Sequence, residues 1–176
     1  MTADEAERYH SPQVDVFAET AADVVGALTM TYAEEATGIV RAARAASIPV
    51  AISFTVETDG RLPSGQALAD AVAQVDLDTD VAAAYFMVNC AHPTHFAHVL
   101  DDAGAWRERV LGLRANASVK SHAELDEAEG LDEGDPVTFG ADHRPLRSRL
   151  PRLAVLGGCC GTDHRHVAAV WSAWMT

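Results

Sequence analysis

Positive charge is scarce in this chain. Thirteen Lys and Arg stand against 26 Asp and Glu, a formal net charge of −13. General affinity for nucleic acid or an anionic membrane needs clustered positive charge, so both partner classes are excluded. The acidic excess reads as a solubilising surface. Cysteine is scarce too: three residues, an odd number, which fits poorly with a disulfide framework. No apolar run is long enough to span a bilayer. Met1 to Arg8 is polar and acidic, without the apolar stretch of a secretory signal. The expected compartment is the cytoplasm, where thiols stay reduced. No G-x-G-x-x-G, P-loop or G-x-S-x-G motif occurs, and no internal repeat.

What is present is an ordinary globular composition. With 176 residues, 48% hydrophobic and 22% charged, residues 1–176 are expected to form a single domain with a substantial core. Helix is expected from Asp4 to Tyr9 and from Gln13 to Thr20, then at Glu34–Ala46, Gln66–Val75, Thr94–Val110 (in two pieces broken at Gly104), Val137–Leu150 and His164–Trp174. Strands are expected at Asp23–Thr31, Pro49–Val56, Val81–Asn89, Val110–Arg114 and Leu153–Gly158. Glu124 to Asp135 reads as a long acidic loop or lid. Strand and helix alternate five times, which implies parallel strands joined by crossovers. The spacing alone suits a doubly wound sheet or part of a (β/α)8 barrel.

In such architectures functional groups gather at the C-terminal ends of the strands. Those ends carry Thr29 and Thr31, Thr55 and Glu57, Asn89 and Cys90, Asn116 and Ser118, and Cys159 and Cys160. All three cysteines therefore fall on one edge. Zinc accepts three thiolates in a tetrahedral shell and keeps a fourth position open, and sulfur suits it better than magnesium or calcium. The spacing leaves two readings: a three-thiolate site, or free thiols buried as small hydrophobes. His92, His95, His164 and His166 form a rival ligand set. Their position at helix starts predicts exposed polar side chains instead, with Asp163 as the cap of the last helix.

Three passages resemble the homocysteine S-methyltransferases, which include betaine-dependent and S-methylmethionine-dependent enzymes. Ile52-Ser53-Phe54-Thr55, with Gly60, Leu62 and Gly65 behind it, resembles the family's strand and following loop. Val88-Asn89-Cys90, followed by Pro93, resembles the segment bearing the first zinc ligand. Gly157-Gly158-Cys159-Cys160-Gly161-Thr162 is similar to the segment bearing the other two. Arg114-Ala115-Asn116-Ala117 more loosely resembles an asparagine-containing turn between them.

The resemblance implies an α/β fold of the (β/α)8 TIM-barrel type. It is incomplete here, with about five βα units and the first three missing. It implies Zn2+ held by Cys90, Cys159 and Cys160, with Thr29, Thr55 and Asn89 as substrate-binding candidates. The implied partners are homocysteine, whose sulfur attacks the methyl group of a donor to give methionine, and that donor. Two departures stand out: no Asp-Gly-Gly strand is present, and Leu28 precedes Thr29 where the family has a glutamate. The alternative is a zinc-binding barrel fragment, inactive alone, that associates as a homo-oligomer or with an N-terminal partner chain. A third reading is a vicinal-thiol sensor.

Overall fold

The computed structural model describes residues 1–101 and 104–175. Five strands run β1 (Val25–Met30), β2 (Val50–Phe54), β3 (Tyr85–Asn89), β4 (Val110–Ala115) and β5 (Val155–Gly158). They form one sheet in the order β1-β2-β3-β4-β5, and every neighbouring pair is parallel. A doubly wound sheet reverses its strand order at a switch point. This sheet advances one strand at a time without reversal, as successive barrel strands do. The architecture is α/β, an arc of a TIM-barrel-type fold.

The crossovers are helical. α1 (Ala3–Ala18) precedes β1, α2 (Ala33–Ala45) follows it, and α3 (Leu68–Thr79) follows β2. After β3 come α4 (Pro93–Phe96) and two 3₁₀ segments, Ala97–Asp101 and Ala105–Arg109. Between β4 and β5 lie α5 (His122–Asp126), α6 (Pro136–His143) and a 3₁₀ turn, Arg144–Ser148; α7 (His164–Met175) ends the chain. Burial follows strand position. Every residue of β2 is buried, and Phe54 stacks on Phe86 of β3 with centroids 6.1 Å apart. β1 and β5, at the two edges, are partly exposed.

Several boundaries differ from expectation. The two N-terminal helical segments are one helix, α1, which runs through Pro12. Proline removes one backbone bond and crowds the preceding turn. Here Ala6 and Val14 are buried on either side of it, and Ala6 packs so closely on α2 that a Cβ at Gly38 would lie 2.5 Å from its own. That packing carries the helix through the proline. β3 starts at Tyr85 rather than Val81, because Asp80 and Val81 both adopt left-handed backbone angles and break the run. Gly104, the expected break, caps the second 3₁₀ segment; residues 102–103, inside the expected helical stretch, lie outside the described residues. α6 stops at His143, and the following turn tightens to 3₁₀ at Pro145.

Candidate metal centre

β3 and β5 deliver the three cysteines. Their Sγ atoms all lie within 4.8 Å of one another, with Cys90 and Cys160 at 3.6 Å. Cys90 and Cys159 are half-buried, and Cys160 is exposed. β4, between the two strands, ties them together. The Asn116 side chain beyond β4 accepts the Cys160 N–H on Oδ1 at 3.2 Å and donates from Nδ2 to the Cys90 carbonyl at 3.0 Å. Cys159 N–H bonds Ala115, Cys90 N–H bonds the Arg114 carbonyl, and Ala117 N–H bonds the Cys160 carbonyl.

The turn after Cys160 needs its glycine. Gly161 has φ +77°, and a Cβ there would run into the Asp132 carbonyl. Cys90 also has a left-handed backbone, φ +57°, and Thr29 another, φ +61°. Such angles in non-glycine residues cost about 1–3 kcal/mol each and persist only where the surroundings over-determine them. Both are over-determined. Thr29 is held through Asn89, and the Cys90 carbonyl accepts from Asn116, from His122 Nε2 at 2.7 Å and from Thr55 Oγ1 at 3.4 Å.

The expected substrate candidates therefore occupy different environments. Thr29 is exposed at the end of β1. Thr55 and Asn89 are buried, each 2% exposed. Asn89 spends its amide inside the protein, on Thr29 and on the Ser53 hydroxyl.

The thiols share charge unequally. A hydrogen bond from the Cys90 thiol, working against burial, and the Cys160 N–H hold Cys159 down to about 5. Cys90 is pushed far up, first because it donates its proton to Cys159, then by burial, then by the neighbouring negative charge. One thiolate forms easily and the next is opposed by the first. A thiophilic cation removes that opposition, so an all-sulfur donor set at this spacing fits a soft divalent ion.

A cavity of about 280 Å³ opens beside Cys90 and Cys160, lined also by Asn116, His122, Asp126 and Asp132. The acidic segment covers it and is more ordered than a loop. Ser121 and Glu124 form a capping box that starts α5, a Ser-x-x-Glu signal legible in the sequence. From α5, His122 donates Nε2–H to the Cys90 carbonyl and faces Glu57 Oε1 with Nδ1 at 3.1 Å. Burial disfavours charge on His122, but the Cys90 carbonyl and Glu57 outweigh it and raise its pKa. His122 and Glu57 are the site residues that spacing alone does not join.

The other histidines overturn an expectation. Of the rival ligand set, His92, His95 and His166 are buried, 2%, 8% and 0% exposed, while His164 is exposed. The reason is packing: His92 and His166 lie against the buried Phe139 ring, at 6.0 and 5.4 Å between centroids. They do not join the sulfurs. His95 Nε2 bonds the Val119 carbonyl and His166 Nε2 the Glu133 carbonyl, both at 2.8 Å, at the two ends of the acidic segment. Asp163 Oδ1 accepts from Arg165 N–H at the start of α7.

Comparison with known proteins bears on the family and the fold. Among curated proteins, the chain is similar to homocysteine S-methyltransferase YbgG of Bacillus subtilis (strain 168), 24% identical over 175 residues, covering 99% of this chain and 53% of that protein. Among solved structures, it is similar to the apo form of the homocysteine methyltransferase MmuM from Escherichia coli. The TM-score is 0.68 at 17% identity, covering 98% of this chain and 57% of that one, which supports the fold. The chain spans about half the length of these relatives. The family described as homocysteine S-methyltransferase matches residues 1–174, and the chain belongs to that family.

Proposed function

We propose that this chain carries the metal-holding part of a zinc-dependent methyltransferase that moves a methyl group from a donor to the thiol of homocysteine, giving methionine. The observation that carries this reading is the convergence of three sulfurs within 4.8 Å in a chain of this family. Cys90, Cys159 and Cys160 would hold the ion. When bound, zinc supplies the charge that keeps a substrate thiol deprotonated as a nucleophile near neutral pH.

The chain's own residues prepare the site. Asn116 brackets the Cys90 and Cys160 peptides and fixes the distance between them. Asn89 fixes the end of β1 at Thr29, an exposed residue that would serve as a substrate contact. Thr55 and Asn89 support the substrate side from beneath. The cavity under α5, reached past Cys160, gives the reactants a partly enclosed space. A reducing compartment such as the cytoplasm suits three free thiols; among the described residues no helix is long and apolar enough to cross a membrane.

Zinc content and product formation test the reading. One zinc per chain is expected, with none after Cys90, Cys159 and Cys160 are all changed to alanine. Methionine should form from homocysteine with at least one of several donors. Zinc that survives the triple change sinks the metal assignment.

A second reading is favoured by the sheet edges. β1 and β5 each lack a neighbour on one side among the described residues, and Leu28, Val155 and Trp171 are 40%, 37% and 60% exposed. Unpaired parallel edges with apolar flanks invite association. On this reading the chain binds zinc but turns over only when a copy of itself or an N-terminal partner chain completes the barrel. Light scattering separates the two: a compact monomer with turnover excludes it.

A further inference from the structure

The Cys90 peptide is the most heavily restrained point of the site. Its left-handed backbone turns Sγ toward Cys160. Its carbonyl gathers donors from three separate elements: Thr55 after β2, Asn116 after β4 and His122 on α5. The His122 contact is the shortest of the three, 2.7 Å against 3.0 and 3.4 Å. It is also the one that comes from the lid rather than from the strand ends.

α5 has little else to hold it. It is five residues long and none of them is fully buried. Its flanks are anchored, at Val119 by His95 and at Glu133 by His166. Between those anchors, Asp132 accepts from Ser118 after β4, and from α5 itself His122 reaches the barrel rim, bonded to Cys90 on one nitrogen and to Glu57 on the other. We propose that His122 is a positioning residue: it latches the lid to the Cys90 peptide and thereby fixes the direction of the Cys90 sulfur, with Glu57 orienting the ring. The inference rests on the reading of the three cysteines as metal ligands. Partners that orient a ligand in this way change metal affinity by about 10- to 100-fold when removed.

The test uses cadmium, whose bonds to thiolate absorb in the ultraviolet, and a chelator-treated sample in which Cys90 alkylation by iodoacetamide is followed by peptide mass spectrometry. His122→Ala should bind cadmium about 10- to 100-fold more weakly, with less thiolate absorbance per ion, and should alkylate severalfold faster at Cys90. His122→Gln, which can still present an N–H to the carbonyl, should recover most of both, whereas His122→Leu, which fills similar space without a donor, should not; equal recovery by Leu would show a space-filling role and overturn the proposal. Unchanged cadmium affinity and an unchanged Cys90 alkylation rate in His122→Ala overturn the proposal. If the unaltered chain binds no cadmium, the metal reading fails by itself, and the alkylation comparison still decides whether His122 positions Cys90.

Discussion

Asn89 fastens Thr29 at both of its polar groups. Its Oδ1 accepts the Thr29 N–H at 2.9 Å, and its Nδ2 donates to the Thr29 hydroxyl at 2.8 Å. The same Oδ1 accepts from Ser53 at 2.6 Å. One buried amide therefore spans β1, β2 and β3 just before Cys90, and supports the strained backbone of Thr29.

Asn89→Ala should be costly. It leaves the Ser53 hydroxyl and the Thr29 N–H without their acceptor. With each unsatisfied group worth about 1–3 kcal/mol, urea unfolding should show a loss of about 2–4 kcal/mol. A loss below 1 kcal/mol would mean that water takes over these bonds.

Acid should destabilise the fold through its buried histidines. Burial, with His95 and His143 nearby, lowers His92 to about 4, and burial lowers His143 as well. Both values lie below the unfolded one, so the unfolded chain binds protons first as pH falls. The neutral His92 ring's contribution is complete above about pH 6.5 and is lost toward pH 4, at about 1.4 kcal/mol per pH unit, and His143 acts in the same direction. His92→Gln should flatten the fall in melting temperature over this range. An unchanged slope would remove His92 from the account.

In chelator, the thiols should differ in reactivity. Cys159, held to about 5, is a thiolate at pH 6.5, while Cys90 keeps its proton. Iodoacetamide at that pH should therefore modify Cys159 ahead of Cys90, since the thiolate is the nucleophile. Equal rates would contradict the unequal sharing of charge.

Val81 is a β-branched residue at φ +59°, 58% exposed. Asn tolerates that region better. Val81→Asn should stabilise the chain by about 0.5–1 kcal/mol, within the usual cost of such strain, measured as a raised urea midpoint. A lowered midpoint would show that Val81 packs more than its exposure suggests.

Arg109 should not accept lysine. Its guanidinium grips Asp76 through two bonds, at 2.7 and 3.0 Å, donates to the Ala83 carbonyl at 2.6 Å and lies 5.5 Å above the Phe86 ring. An ammonium has three donors but no planar fork, so it cannot grip both Asp76 oxygens, reach Ala83 and lie over Phe86 together. Arg109→Lys should cost about 1–3 kcal/mol of unfolding free energy; a neutral result would mean that the fork geometry is unimportant there.

The fold was legible where the pattern is strong. The apolar runs of β2 and β3, and the cysteines that close β3 and β5, could be read directly because strand ends are where an α/β sheet presents its chemistry. Pairing without reversal could not be read, since periodicity does not encode which strand lies beside which. The buried histidines were missed for a related reason. His92 and His166 look like helix-start residues in sequence, and only the packing of α6 brings Phe139 against both. The His122–Glu57 contact joins positions far apart along the chain, so no local signal announces it, although the Ser121–Glu124 capping box does announce the helix that carries His122.

The Asn116 bracket has a consequence for the order of folding. Its amide must reach the Cys90 carbonyl on one side and the Cys160 N–H on the other, so the sulfurs come together only after β4 is seated and β5 has docked beside it. The cysteine cluster is thus a late assembly, closed by the last strand of the chain. Capture of a thiophilic ion during refolding would serve as a clock for that final docking event, and a chain still lacking β5, as during its synthesis, would hold Cys90 alone.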